Sequence, residues 1–304
     1  MKYFNYKDFN QTKLIKLKKN QNISIGIALP VLNEDKTLKK TIDIIRGCGD
    51  LVDELIVVDS ESTDKSEKIC KNEQVPFIKD IKVSRDFKIK LKRGKGWNLW
   101  ASLFYLKTDV IIWIDSDIEN FSKNFVLGMI GPFLQDKKIQ FTKGHYERPK
   151  NDARVTEIMV RPVFNIIFNK LEKFIQPLSG EYGGRRKFLE KINFTSGYSV
   201  ESAVLIQAVK VLRDAEIAQV YLGKRIHSLQ SVASLGRMAS SIFHFLVTYI
   251  ENEKNLKLKA RENTSLIQYK EVKKGAYKIV KYDIADAILP AMKNIKKYEK
   301  EFKR

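Results

Sequence analysis

Between Ile23 and about Gln140, short apolar runs alternate with stretches whose apolar residues recur every three or four positions, the pattern of successive βαβ units. Four runs predict strands: "ISIGIALP", "ELIVVDS", "VPFIKD" and "VIIWIDS". Between them, "TLKKTIDIIRGC", "STDKSEKICKN" and "GKGWNLWASLFYL" carry helical spacing. In the last strand, Val110 to Ile114 show no polar alternation, as expected of a strand buried on both faces of a parallel sheet. After about residue 150 the pattern turns mostly helical, in "RVTEIMVRPVFNIIFNKLEKF", "VESAVLIQAVKVLRD" and a long stretch from Ser231 to Asn255. One strand-like segment, "EIAQVYLG", returns to the sheet. The chain divides accordingly into an N-terminal extension over 1–22, an α/β domain over 23–230 with halves 23–150 and 151–230, and a helical C-terminal arm over 231–304.

In open α/β sheets ligands bind beyond the carboxyl ends of the strands, so those ends carry the candidate chemistry. The first strand closes in "ALPVLNEDKT", where Pro30 and Asn33 break the strand and Asp35 or Thr37 can start a helix, without the glycine fingerprint of a dinucleotide turn. "RGKGWN" lacks the glycine spacing of a phosphate-binding P-loop. NAD enzymes and P-loop NTPases are thereby disfavoured. "VIIWIDSDI" ends in Asp115 and Asp117, two carboxylates that repel each other and lose solvation unless a cation or donors compensate. A divalent ion is one answer; a strand-ending turn with a helix cap is the other. Lys95 stands between Gly94 and Gly96 at the start of an amphipathic helix, where backbone N–H groups and an ammonium can neutralise phosphate together.

Composition narrows the partners. The 304 residues, 43% hydrophobic and 30% charged, suffice for a substantial core. No apolar run reaches the roughly 18 residues of a membrane span, and "MKYFNYKDFN" lacks a signal-peptide core, so membrane insertion is not expected and the expected location is cytoplasmic. Cys48 and Cys70 have no histidines near them in ligand spacing and read as reduced structural residues. The formal charge is +20, of which residues 1–20 and 251–304 hold +12. A nucleic-acid binder would interleave basic and aromatic residues on one face, and charge gathered at the termini argues against one.

Taken in order, "ALPVLNE", "IVVDSESTD", "GKGWNLWASL", "IDSDI", "RVTE", "RP", "QPLSGEYGGRR", "GYSVE" and "LGKRIH" resemble the glucosyl-3-phosphoglycerate synthases, retaining glycosyltransferases of the GT-A type, over roughly residues 23–245. The resemblance implies a GT-A nucleotide-diphospho-sugar transferase fold, a Rossmann-like mixed α/β sheet with a helical C-terminal extension. It implies transfer of glucose from UDP-glucose to 3-phosphoglycerate, giving glucosyl-3-phosphoglycerate, a precursor of the compatible solute glucosylglycerate, by a homodimer dependent on Mg²⁺ or Mn²⁺. Pro30, Leu32, Glu34 and Ser60 would meet base and ribose, with Lys95, Asp115, Ser116 and Asp117 completing the donor site. Asp117 and His227 would ligate the metal; one carboxylate and one imidazole beside phosphate oxygens suit Mg²⁺ or Mn²⁺. Arg154, Thr156, Ser179, Gly180 and Glu181 would face the acceptor, with "PLSGEYGGRR" as a glycine-broken loop, and Glu201 the sugar. Asp117, Lys95 and Glu201 form the expected catalytic set. No carboxylate stands out as a nucleophile, which favours same-face substitution assisted by the leaving phosphate. A mannosyl-3-phosphoglycerate or glycerate-accepting enzyme, and an inverting lipid-phosphate sugar transferase, are the alternatives.

Overall fold

The computed structural model describes residues 1–148, 154–168, 170–227, 230–255, 264–273 and 276–302. The central sheet contains β1 (Lys2–Asn5), β2 (Ile25–Val31), β3 (Glu54–Asp59), β4 (Phe77–Lys79), β5 (Val110–Trp113), β6 (Phe141–Glu147), β7 (Tyr182–Arg185) and, past the short β8 (Phe194–Thr195), β9 (Ile217–Lys224). Their order is β1-β9-β6-β7-β5-β2-β3-β4. All neighbours run parallel except β7, which is antiparallel to both β5 and β6, so the sheet is mixed as expected.

Helices α1 (Gln11–Gln21), α2 (Asp35–Arg46), α3 (Ser66–Asn72), α4 (Asp80–Phe87), α5 (Lys95–Tyr105) and α6 (Lys123–Gln135) flank the first half. They are followed by α7 (Arg161–Ile167), α8 (Arg186–Leu189), α9 (Val200–Val211) and α10 (Val232–Lys254). Two apolar clusters form the core, one on each side of the sheet. Ile111 and Trp113 point into one, Val110, Ile112 and Ile114 into the other. All five are 0% exposed, so the unbroken apolar run does mark a strand covered on both faces.

Three segments differ from the pattern reading. The first 22 residues are not an appendage: β1 extends the sheet beside β9, Phe9 and Leu14 are buried, and Lys18 reaches Asp53 at 2.6 Å. The glycine-broken loop becomes strand β7 from Tyr182 onward, because glycine is what fits there; a Cβ on Gly183 would lie 2.4 Å from the Ile111 carbonyl. The C-terminal arm is helical only in part. Within it β10 (Ser265–Lys273) and β11 (Ala276–Asp283) form an antiparallel hairpin, built from alternating residues rich in β-branched and aromatic side chains. The chain then returns to the body: β12 (Ile288–Leu289) pairs with β8, and Leu289, Met292 and Tyr298, the last in α11 (Lys296–Phe302), are buried. Among the described residues, no helix is long and apolar enough to cross a membrane.

Candidate active site

Parallel register brings the carboxyl ends of β2, β3 and β5 level, with Val31 opposite Asp59 and Ala28 opposite Trp113. The loops leaving them are tied together. Asn33, at φ +60°, donates its amide to Ser62 Oγ and accepts from the Thr63 amide, while the Asp35 amide donates to Asp64. Ser116 is buried and its hydroxyl donates to the Pro30 carbonyl, so it joins the ends of β2 and β5. Leu32 is exposed at the rim. Ser60 Oγ accepts from Asn98 Nδ2 at 2.9 Å, which fixes that hydroxyl over the end of β3.

The two glycines around Lys95 have a steric cause. Gly94 has φ +138°, and a Cβ there would meet the Ser196 carbonyl at 2.6 Å; a Cβ on Gly96 would lie 1.8 Å from the Thr195 carbonyl. The start of α5 therefore lies directly on the segment that leads into α9. That contact sets Lys95 Nζ between Asp115, at 2.7 Å, and Glu201, at 2.8 Å. Burial works against the ammonium, but Asp115 and Glu201 outweigh it and hold Lys95 well above the ordinary lysine range. Not all of the helix terminus is open to phosphate as expected: the Trp97 amide already donates to the Ser196 carbonyl at 2.9 Å.

On the other flank, Arg225 Nη2 lies 2.7 Å from Asp117 and 3.3 Å from Asp115. Burial would raise the Asp115 carboxyl, yet Lys95 and Arg225 hold it below its usual range. Glu34 faces the same group from the start of α2. Burial, then Asp117 and Asp115, push its carboxyl up to about 7. Three carboxylates converging from two strand ends call for positive charge, and oxygen ligands of this kind suit a hard divalent cation.

His227 arrives where the chain leaves β9. The Glu119 amide donates to the Ile226 carbonyl at 2.9 Å and the Ile226 amide to Asn120 Oδ1 at 2.7 Å, locking this segment to the turn that follows Asp117. The half-buried imidazole is therefore at the expected edge of the sheet. No three His, Cys, Asp or Glu side chains form a ready metal cage among the described residues, so a cation at Asp117 and His227 would draw further ligands from substrate or water.

The expected acceptor residues divide. Ser179 and Glu181 are 0% exposed. The Ser179 hydroxyl donates to the Gly144 carbonyl at 2.6 Å, which ties this segment to β6. Glu181 is held there beside Arg225 Nε, at 3.7 Å, and burial raises its carboxyl against the pull of that guanidinium. Gly180 packs on Asp115, where a Cβ would lie 1.9 Å from Oδ2. Arg154 donates to the Gln230 carbonyl at 3.0 Å, and Thr156 is buried. Residues 150–153, just before Arg154, lie outside the described residues. Arg225 was not singled out from the sequence; it stands two positions before His227, and the uncompensated Asp115 and Asp117 were the signal that could have found it.

Residues 26–194 match the family model for glycosyl transferase family 2. The chain is 37% identical over 319 aligned residues to glucosyl-3-phosphoglycerate synthase of Petrotoga mobilis, spanning 99% of this chain and 96% of that protein. Among solved structures, mannosyl-3-phosphoglycerate synthase from Rubrobacter xylanophilus superposes with a TM-score of 0.90 at 25% identity, covering 97% of each chain. Glucosyl-3-phosphoglycerate synthase from Mycobacterium tuberculosis, in complex with Mn²⁺ and uridine-diphosphate-glucose, superposes with a TM-score of 0.83 at 31% identity, covering 94% of this chain and 95% of that one. With a family model over more than half its length and a curated relative matched from end to end, the chain belongs to glycosyl transferase family 2, among the glucosyl-3-phosphoglycerate synthases.

Proposed function

We propose that the protein transfers glucose from UDP-glucose to the free hydroxyl of 3-phosphoglycerate with retention of configuration. The observation that carries this reading is Lys95 held between Asp115 and Glu201, beside Asp117, at the meeting of strand ends. A lysine fixed there is aimed at a diphosphate whose negative charge grows as the sugar leaves. The solved relatives bound to Mn²⁺, UDP-glucose and phosphoglyceric acid support the same donor, acceptor and metal.

In this reading Glu34 and Ser60 orient base and ribose beside Pro30 and Leu32, and Asp115 braces the ribose side of the donor. Glu201 holds the sugar while its ion pair keeps Lys95 in place. A divalent cation bound by Asp117 and His227 would neutralise charge on the diphosphate. Arg154, beside Thr156, grips the acceptor phosphate, and Gly180 lets Asp115 pack against the segment expected to face the acceptor. Asp115 and Glu201 are both committed to Lys95 and Glu181 is buried, so the carboxylates bind and orient, and substitution on the same face is assisted by the leaving phosphate. The halves 23–150 and 151–230 then serve donor and acceptor in turn.

The enzyme acts as a cytoplasmic homodimer in this account. Supporting the dimer, Tyr269 and Ile279 face each other across the β10–β11 hairpin, 69% and 60% exposed, with Ile267 on the same face. A two-stranded hairpin is marginal alone, and a second copy of the chain would cover that face. Light scattering reads the mass. The reaction is tested by release of nucleoside diphosphate with Mn²⁺, varying donor (UDP-glucose, GDP-glucose, GDP-mannose) and acceptor (3-phosphoglycerate, glycerate, a lipid phosphate). Release from UDP-glucose only when 3-phosphoglycerate is present is expected; faster turnover with glycerate or GDP-mannose would reassign acceptor or donor.

A further inference from the structure

Behind the cleft, on a strand that the chemistry above leaves unused, Lys143 is buried at 1% exposure. Among the described residues no carboxylate lies within ion-pair distance of it, and a buried charge so placed is costly unless its site requires it. Its Nζ donates to the Ser179 carbonyl at 2.6 Å and stands 4.3 Å from the centre of the Tyr182 ring. The next residue adds two more ties: the Gly144 amide donates to the Glu181 carbonyl at 2.8 Å, and the Gly144 carbonyl accepts from Ser179 Oγ at 2.6 Å. Two consecutive residues of β6 thus fix the whole Ser179–Glu181 segment.

That segment is the surface on which Asp115 rests, since Gly180 leaves no room for a Cβ against its carboxylate. Displacing it would move Asp115, and with it Lys95, whose Nζ is 2.7 Å away. Lys143 also lies in the field of four charged groups, Glu201, Glu181, Asp115 and Lys95. Burial pushes its ammonium down to about 7; Glu201 from α9, Glu181 from the fixed segment and Asp115 from the end of β5 oppose this, while Lys95 from α5 adds to it. Tyr182 stands on one side of it and Gln219 on the other.

We propose that Lys143 is a positioning residue for the transfer: its buried ammonium holds the Ser179–Glu181 segment under Asp115 and supplies positive charge behind Glu201 and Glu181. The inference rests on the glucosyl-transfer reading and deepens it. Lys143→Met removes donor and charge at similar length, and Lys143→Gln keeps a donor for the Ser179 carbonyl.

The test compares kcat, both KM values, pH profile and thermal midpoint for wild type and the two variants. Misplacing a catalytic group lowers turnover more than binding, so Lys143→Met should lose about ten-fold or more in kcat with KM for 3-phosphoglycerate within about three-fold of wild type, any rise falling on KM for UDP-glucose, which Asp115 braces. Lys143→Gln should recover part of that loss, and carries the comparison if Lys143→Met does not fold. Because burial depresses this ammonium, it is protonated below about pH 7 and loses its proton as pH rises through that value. Wild-type kcat should fall over that window, and Lys143→Gln should lack the limb. Wild-type kcat in both variants, or an unchanged limb in Lys143→Gln, overturns the role. A wild type inactive with 3-phosphoglycerate counts against the assigned reaction, whereas an active wild type matched by its variants counts against Lys143 alone.

Discussion

The guanidinium of Arg225, 5% exposed, donates to Asp117 Oδ1 at 2.7 Å. The carboxylate expected to ligate a divalent cation is therefore already shared with a fixed protein cation. Breaking a buried pair by removing one partner costs about 3–5 kcal/mol, less here because the Asp117 side chain is 33% exposed. Arg225→Met should lower the melting temperature in chelator by several degrees, and Mn²⁺ should restore more of it than it adds to wild type. Equal Mn²⁺ shifts in the two proteins, read by calorimetry, would show that metal and guanidinium do not meet at Asp117.

Asp117→Ala and His227→Ala should each lower turnover by about 10²-fold or more, as expected when charge stabilisation of a leaving group is lost. In chelator His227→Ala should melt close to wild type, whereas Asp117→Ala, which takes the 2.7 Å partner from the buried Arg225 guanidinium, should melt several degrees lower. Full activity of His227→Ala at saturating Mn²⁺ would make the imidazole structural. Asp115→Ala should weaken UDP-glucose binding more than Mn²⁺ binding, because its partners are Lys95 and Arg225.

Much of this site was legible because its determinants are local. Val110 to Ile114 lack polar alternation, and a strand buried on both faces tolerates none. Gly94 and Gly96 bracket Lys95 because a side chain at either position would collide with the 195–196 backbone. What stayed hidden depends on partners far away in the chain. Arg225 meets carboxylates that lie more than a hundred residues earlier, and no periodicity reports such a contact. Lys143 falls in Phe141–Glu147, a segment that carried no strand signal in the pattern and becomes β6 only between its partners β7 and β9. The β10–β11 hairpin did carry its own signal, β-branched and aromatic residues among polar ones in "SLIQYKEVK" and "AYKIVKYD", but the basic composition of the last fifty residues pointed to solvated helix.

Arg154 offers a rigid planar fork that can grip phosphate at two points, so Arg154→Lys should not be conservative. Losing a charge-assisted hydrogen bond worth roughly 1.5–3 kcal/mol corresponds to about a ten- to hundred-fold rise in KM for 3-phosphoglycerate in Arg154→Ala. Its present partner, the Gln230 carbonyl, would be exchanged for the acceptor. Calorimetry should find UDP-glucose affinity nearly unaltered. Equal weakening of donor and acceptor, or of neither, would remove Arg154 from the acceptor site.

The last prediction concerns the chain's return to the body after the hairpin. Asp286 accepts from the Ser199 amide at 3.0 Å and from its hydroxyl at 2.6 Å, at the residue preceding α9 and two before Glu201. The Ala287 carbonyl accepts from the Ser196 amide, and the Ser196 carbonyl in turn accepts from the Trp97 amide at the start of α5. The segment 195–199 is thereby clamped between the C-terminal strap and the helix that bears Lys95, and a Cβ on Gly197 would collide with the Asp286 carboxylate. Asp286→Ala leaves the fully buried Ser199 without this partner, a loss of about 1–3 kcal/mol. At roughly 2–4 °C per kcal/mol, the melting temperature should fall by several degrees. Because Glu201 and Lys95 are paired across this joint, kcat should fall about ten-fold while KM for 3-phosphoglycerate changes little. Asp286→Asn, which keeps an acceptor oxygen, should recover part of both losses. A variant that melts lower yet turns over at the wild-type rate would make the strap a matter of stability alone, with no part in setting Glu201 against Lys95.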